Sequence, residues 1–176
     1  MRPLDIHLMA RTVLKQRDFG SFMLQMIAAL ESKSGTRLGM AQKILLAETG
    51  TVEQVLSVLA NSSVSVKVID QKEKAKSIIR QSIITNNAGK VLIRAHTRIF
   101  SRNLPAKVMS QIKMKESGIG TIIATCGLET HRKIVEFGYN PANRSFFRKY
   151  QIIYRKKVAF EIKEELVGIE SGPGGI

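Results

Sequence analysis

Ser77-Ile78-Ile79-Arg80-Gln81-Ser82-Ile83-Ile84-Thr85, then Asn86-Asn87-Ala88-Gly89, then Val91 to Phe100: this stretch decides the fold. In its second half Val91, Ile93, Ala95, Thr97 and Ile99 occupy alternate positions. Leu92, Arg94, His96, Arg98 and Phe100 fill the positions between. A period of two places the first set on one face of a strand and the second on the other. The Asn-Asn-Ala-Gly linker tolerates the positive φ angles of a hairpin loop. Two strands joined in this way run antiparallel.

Working outward, Val64, Val66 and Val68 alternate with Ser65 and Lys67 as a half-buried strand. Ser145 to Arg155 and Val158 to Glu165 read as a second strand pair around Lys156-Lys157. Helical spacing marks Asp18 to Leu30, where Phe19, Phe22, Met23, Met26, Ile27 and Leu30 share a face and Asp18 can cap the start. Glu31 to Thr36 breaks that helix, and a short apolar run follows at Ile44-Leu45-Leu46-Ala47. Thr51-Val52-Glu53-Gln54 has the form of a capping box and opens a helix through Leu59. Ala106 to Met114, with Pro105 in the first turn, Gly118 to Thr125 and Glu129 to Phe137 complete the expected helices. Strand pairs joined by hairpins, with helices before and between them, imply an α+β fold: an antiparallel sheet flanked by helices. A doubly wound parallel sheet would need strand and helix to alternate, and they do not.

At 176 residues the chain fits one domain with a sizeable core. Residues 1–38 read as a helical extension, 39–168 as the main domain and 169–176 as a disordered tail. No apolar run reaches the roughly 18–20 residues that span a bilayer. Met1 to His7 lacks a signal-peptide layout, and Cys126 is a lone cysteine, so a cytoplasmic protein is expected. The net charge is +14, but the cations are scattered and form no polybasic tail. A solvated basic surface is the plain reading. Nucleic-acid binding is the weaker one, because aromatic residues for base stacking are few.

The chemistry is sparse. His7, His96 and His131 are isolated, so neither a metal nor a metal cofactor is expected. His131, with Glu129 and Lys133, reads as part of a solvated helix face. Cys126 has no recognisable base partner and reads as a buried structural thiol. Ser117-Gly118-Ile119-Gly120 lacks the third glycine of a nucleotide fingerprint. Its glycines could let backbone N–H groups at a helix start face an anion, or could simply form a turn. Arg80 sits among isoleucines, and a buried arginine needs an acidic partner or an anionic ligand. Glu164 is similarly placed after Ile162. Either the two pair with each other, or they frame with the turn a site for a small anionic organic ligand.

Taken together, Ile44 to Val52, the Ile79-Arg80-Gln81 strand, the Ser117-Gly118-Ile119-Gly120 turn and the Arg148-Lys149-Tyr150…Glu164 hairpin resemble the chorismate pyruvate-lyase family. The likeness covers Gln42 to Leu166 and is nearest to the family's divergent archaeal and bacterial branch. UTRA ligand-sensing domains share the fold. The resemblance implies a lyase that converts chorismate to 4-hydroxybenzoate and pyruvate without a cofactor. It implies substrate contacts at Val52, Arg80, Ile119 and Glu164, with Arg80 and Glu164 catalytic. The expected partner is a small anionic aromatic or cyclohexadiene acid. Arg94 or Arg98 could meet a second carboxylate. The alternative is a non-catalytic domain sensing a small aromatic acid. The chain departs from the family in its first turn, Thr49-Gly50-Thr51, where an acidic or amide residue is commoner, in the Tyr154-Arg155-Lys156-Lys157 turn, which lacks the hairpin glycine, and in the N-terminal extension through Leu38.

Overall fold

The computed structural model describes Leu4–Asp5 and residues 19–169. His7, the expected cap Asp18 and the tail from Glu170 to Ile176 lie outside the described residues. In chain order the elements are β1 (Leu4–Asp5), α1 (Phe19–Ser34), α2 (Met40–Ala47), α3 (Val52–Leu59), β2 (Val64–Lys74), β3 (Ser77–Asn86) and β4 (Val91–Ile99). A short 3-10 turn (Ser101–Asn103) follows, then α4 (Ala106–Met114), α5 (Ile119–Thr125), β5 (His131–Asn140), β6 (Ser145–Tyr154) and β7 (Lys157–Leu166). The fold is α+β: six antiparallel strands flanked by five helices, with the two-residue β1 added beside β5.

Across the sheet the order is β1-β5-β6-β7-β4-β3-β2. The β3–β4 hairpin forms where the alternation placed it, with Arg80 opposite Thr97 and Ile84 opposite Ile93. Its loop is closed by the Asn86 side chain, whose Oδ1 accepts from the N–H groups of Ala88 and Lys90. Gly89 takes φ +78°, which a residue with a Cβ adopts only at a cost. The β6–β7 turn solves the same problem without glycine: Arg155 and Lys156 both take positive φ, 47° and 63°. That is the geometry a tight two-residue hairpin requires. The odd residues of β4 face the core and Arg94, His96 and Arg98 face outward.

Three expectations change. Glu129 to Phe137 is not a helix: His131 to Asn140 is β5, paired with β6. The pairing register shifts between Ile134 and Glu136, so a bulge interrupts the period of two and leaves apolar residues at a helix-like spacing. α1 runs on to Ser34, past the expected break, and Gly35 at φ +67° ends it. At α3 no capping box forms, because the Thr51 side chain makes no cap hydrogen bond. The Thr51 methyl packs against Gly120 instead.

The helices cover one face of the sheet. Phe22, Met26 and Leu30 of α1 bury into the same core as Leu45 and Leu56. Ile78, Ile93, Ile99, Phe160 and Ile162 meet them from the strands. Gln42 at the start of α2 donates to the carbonyl of Ile169 at 2.8 Å, fixing the chain just beyond β7. Among the described residues no helix is long and apolar enough to cross a membrane.

Candidate functional site

The covered face of the sheet carries two polar rows among its apolar residues. Strand pairing aligns Arg80, Thr97, Ile162 and Tyr150 in one row and Ser82, Ala95, Glu164 and Arg148 in the next. Between these rows and the helices lies a pocket with about 480 Å³ of atom-free space, its mouth included. Val52, Arg80, Ile119 and Glu164, all singled out from sequence, line it. Val52 opens α3 and Ile119 opens α5, so both helix starts close over the sheet.

Arg80 is 1% exposed. Its Nε donates to Gln71 Oε1 at 2.7 Å, Nη1 to the Ser117 carbonyl at 3.0 Å and Nη2 to the Ile112 carbonyl at 2.6 Å. The Ile112 carbonyl is in the last turn of α4, where backbone acceptors lack helical partners and a cation is favoured. All three acceptors are neutral. Among the described residues Arg80 therefore pairs with no carboxylate, and of the two readings left open by sequence the Arg80–Glu164 ion pair is not formed. Burial brings its pKa down to about 10, still protonated at neutral pH. A guanidinium has five N–H groups, so two remain uncommitted.

Glu164, 3% exposed, is held by other hands. Arg148, directly opposite on β6, reaches its Oε2 with both Nε and Nη2 at 2.8 Å. Tyr150 donates its hydroxyl to Oε1 at 2.7 Å. Arg148 also donates to the Glu48 backbone carbonyl and meets Glu48 Oε2 at 3.1 Å. Burial works against its charge, but the carboxylates of Glu164 and Glu48 outweigh that and raise its pKa. Burial, with the Glu164 charge, pushes the Tyr150 hydroxyl well above its ordinary value, so it stays a donor. A carboxylate offers about four acceptor positions, and three are spent on Arg148 and Tyr150. One remains.

Arg148 is not among the site residues expected from sequence, although its hairpin carries the family resemblance. The signal was present, since Arg148 shares its strand face with Phe146, Tyr150 and Ile152, all buried. In the turn before α5 the glycines face a side chain of α3. A Cβ on Gly118 would lie 2.3 Å from a Glu53 carboxyl oxygen, and one on Gly120 3.0 Å from the other. The glycines make room for Glu53, so the protein's own carboxyl fills the space expected for a ligand anion. Burial, aided by the nearby Glu164 charge, raises the Glu53 pKa. Arg132 of β5 lines the pocket as well, unlike Arg94 and Arg98 on the outer face. Cys126 caps α5 half-buried against the core, and His131 is exposed on a strand. Among the described residues no group of three or more His, Cys, Asp or Glu is placed to hold a metal ion.

No family model matches the chain. A protein of Methanocaldococcus jannaschii named "Putative lyase MJ0807" is 31% identical to it over 139 residues, 70% of this chain and 76% of the relative. An aligned span of that length cannot be drawn from a single local motif. On that similarity the chain belongs to the same family as the Methanocaldococcus protein.

Proposed function

We propose that the protein is a chorismate lyase that releases 4-hydroxybenzoate and pyruvate without a cofactor. One observation carries the reading: the pocket has two spare N–H donors on Arg80 and one spare acceptor position on Glu164, in adjoining rows of one sheet face. β3 and β7 are two strand spacings apart, roughly 10 Å between backbones, with both side chains reaching inward. A ring carrying a carboxylate and, para to it, a hydroxyl offers the complementary groups. The name of the Methanocaldococcus relative points to the same reaction class.

Arg80 takes the ring carboxylate through its two free N–H groups. Glu164 accepts from the ring hydroxyl at C4, its own orientation fixed by Arg148 and Tyr150. The ether bond at C3 breaks and the C4 hydrogen passes to the side chain's methylene carbon, which becomes the methyl of pyruvate. The ring's electrons close into an aromatic system, and the ether oxygen becomes the ketone. Holding the side chain over C4 is what the pocket contributes. Val52 and Ile119 supply the apolar roof.

The test is direct. Purified protein incubated with chorismate should release 4-hydroxybenzoate and pyruvate in equal amounts, at the same rate with and without EDTA. Folded protein that binds 4-hydroxybenzoate yet yields no product would overturn the enzyme and leave a binding domain.

A further inference from the structure

We propose that Arg132 forms a second anion subsite in the pocket, taking the carboxylate of the substrate's three-carbon side chain. The proposal rests on the lyase reading for the identity of the substrate. Its physical basis is separate, and begins with how three arginines around the pocket are employed.

Arg148 is committed to two carboxylates. Arg80 is held by three neutral oxygens at the opposite end. Among the described residues Arg132 makes one hydrogen bond, from Nη1 to the Thr49 carbonyl at 3.3 Å. Its Nε is buried and has no hydrogen-bond partner among the described residues. Two other buried side-chain atoms share that condition, Glu48 Oε1 and Glu136 Oε1, and both are acceptors. A buried donor is costly to leave unmade, so the arrangement favours a ligand that brings an acceptor. Glu53 feels Arg132 through space but makes no hydrogen bond to it among the described residues.

Position selects the ligand group. Arg132 belongs to β5, four strand spacings from Arg80 on β3, roughly 19 Å between backbones. β7, the strand of Glu164, is midway across the sheet, and Arg132 stands level with Ile152, one row beyond that of Arg80 on the side away from Glu164. A ring carboxylate at Arg80 and a hydroxyl at Glu164 set the molecule's long axis across β4 toward β7. The substituent next to the hydroxyl then projects toward β5, and in chorismate it ends in a carboxylate. Arg132 would distinguish a dianionic substrate from the monoanionic product, which carries nothing at that position. Product release would be easier for the same reason.

The experiment compares two probes that differ at one group: 4-hydroxybenzoate, and 4-hydroxybenzene-1,3-dicarboxylate, which adds a carboxylate beside the hydroxyl. Calorimetry on wild type, Arg132→Gln and Arg132→Lys reads the subsite independently of turnover, and thermal melts verify folding. For Arg132→Gln the dicarboxylate should lose about tenfold or more in affinity while 4-hydroxybenzoate changes less than about twofold. Arg132→Lys should recover part of the loss, since it restores charge without the planar fork. In kinetics the KM for chorismate should rise while inhibition by 4-hydroxybenzoate stays constant. Equal losses for both probes, or no loss for either, would overturn the subsite even if the protein is a lyase. A selective loss in a protein that never turns chorismate over would keep the subsite and remove the lyase.

Discussion

Two arginines, each 1% exposed, stand on either side of β7 on the covered sheet face, Arg80 lining the pocket and Arg148 holding Glu164, and are treated in opposite ways. Around Arg148 the fold gathers Glu164, Glu48 and the Tyr150 hydroxyl, so the cation is neutralised and every strong contact is internal. Around Arg80 it gathers only a side-chain amide oxygen and two carbonyls, so the charge stays uncompensated. A buried ion pair stabilises only weakly, but breaking one leaves an unpaired charge. A buried cation supported by dipoles is different: the protein bears a desolvation cost that an incoming anion can relieve. Arg148 belongs to the scaffold that orients Glu164. Arg80 keeps a charge that no carboxylate among the described residues offsets.

The largest effect should therefore fall on Arg148. Arg148→Met strands Glu164 and Glu48 in the core, and the loss should be on the order of 3–5 kcal/mol in urea melts. That is a large share of the stability of an ordinary domain, so partial unfolding at room temperature is expected. A smaller loss than for Arg80→Ala would break the contrast between the two arginines.

Arg80→Ala comes next, and its effect should appear in binding. Affinity for 4-hydroxybenzoate per folded molecule should fall by about 2–5 kcal/mol, the scale for truncating one partner of a buried charge contact. The melting temperature should fall too, because the carbonyls of Ile112 and Ser117 lose donors. Arg80→Lys should restore neither in full, since a lysine presents no fork. Calorimetry beside melts separates the two components. Wild-type affinity in folded Arg80→Ala protein would remove Arg80 from the site.

The contrast also shows which features a sequence can carry. The β3–β4 hairpin was legible because period-two alternation and an Asn-Asn-Ala-Gly loop agree locally. Val52, Arg80, Ile119 and Glu164 were legible as a group only through family likeness, and they do line one pocket. β5 was not legible. Arg132, Ile134 and Phe137 share a face across a bulge, and the three-residue step from Ile134 to Phe137 imitates a helix. Arg132 was lost with it. Arg148 was missed for another reason: a lone cation on an apolar strand face looks the same in sequence whether it is paired or solvated. The partner is sixteen residues away on β7, and only the hairpin register reveals it.

The smallest expected effect concerns Glu53, which lines the pocket and makes no ion pair among the described residues. Burial first, and the Glu164 charge after it, hold its folded pKa above the ordinary value of 4.5. The protonated form is thus the one the fold accommodates. Its contribution to stability is fully present below that ordinary value and is lost as pH rises through the raised folded value. Glu53→Gln keeps the shape, removes the titration and mimics the protonated carboxyl. Its melting temperature should exceed that of wild type by a few degrees at most near neutral pH, and the gap should close as pH falls toward 4.5. Parallel melts across that range decide the matter. A gap that stays constant with pH would mean that Glu53 is not held in the desolvated setting described. Wild type more stable than Glu53→Gln at neutral pH would mean that the attraction of Arg132 for its charge outweighs the burial.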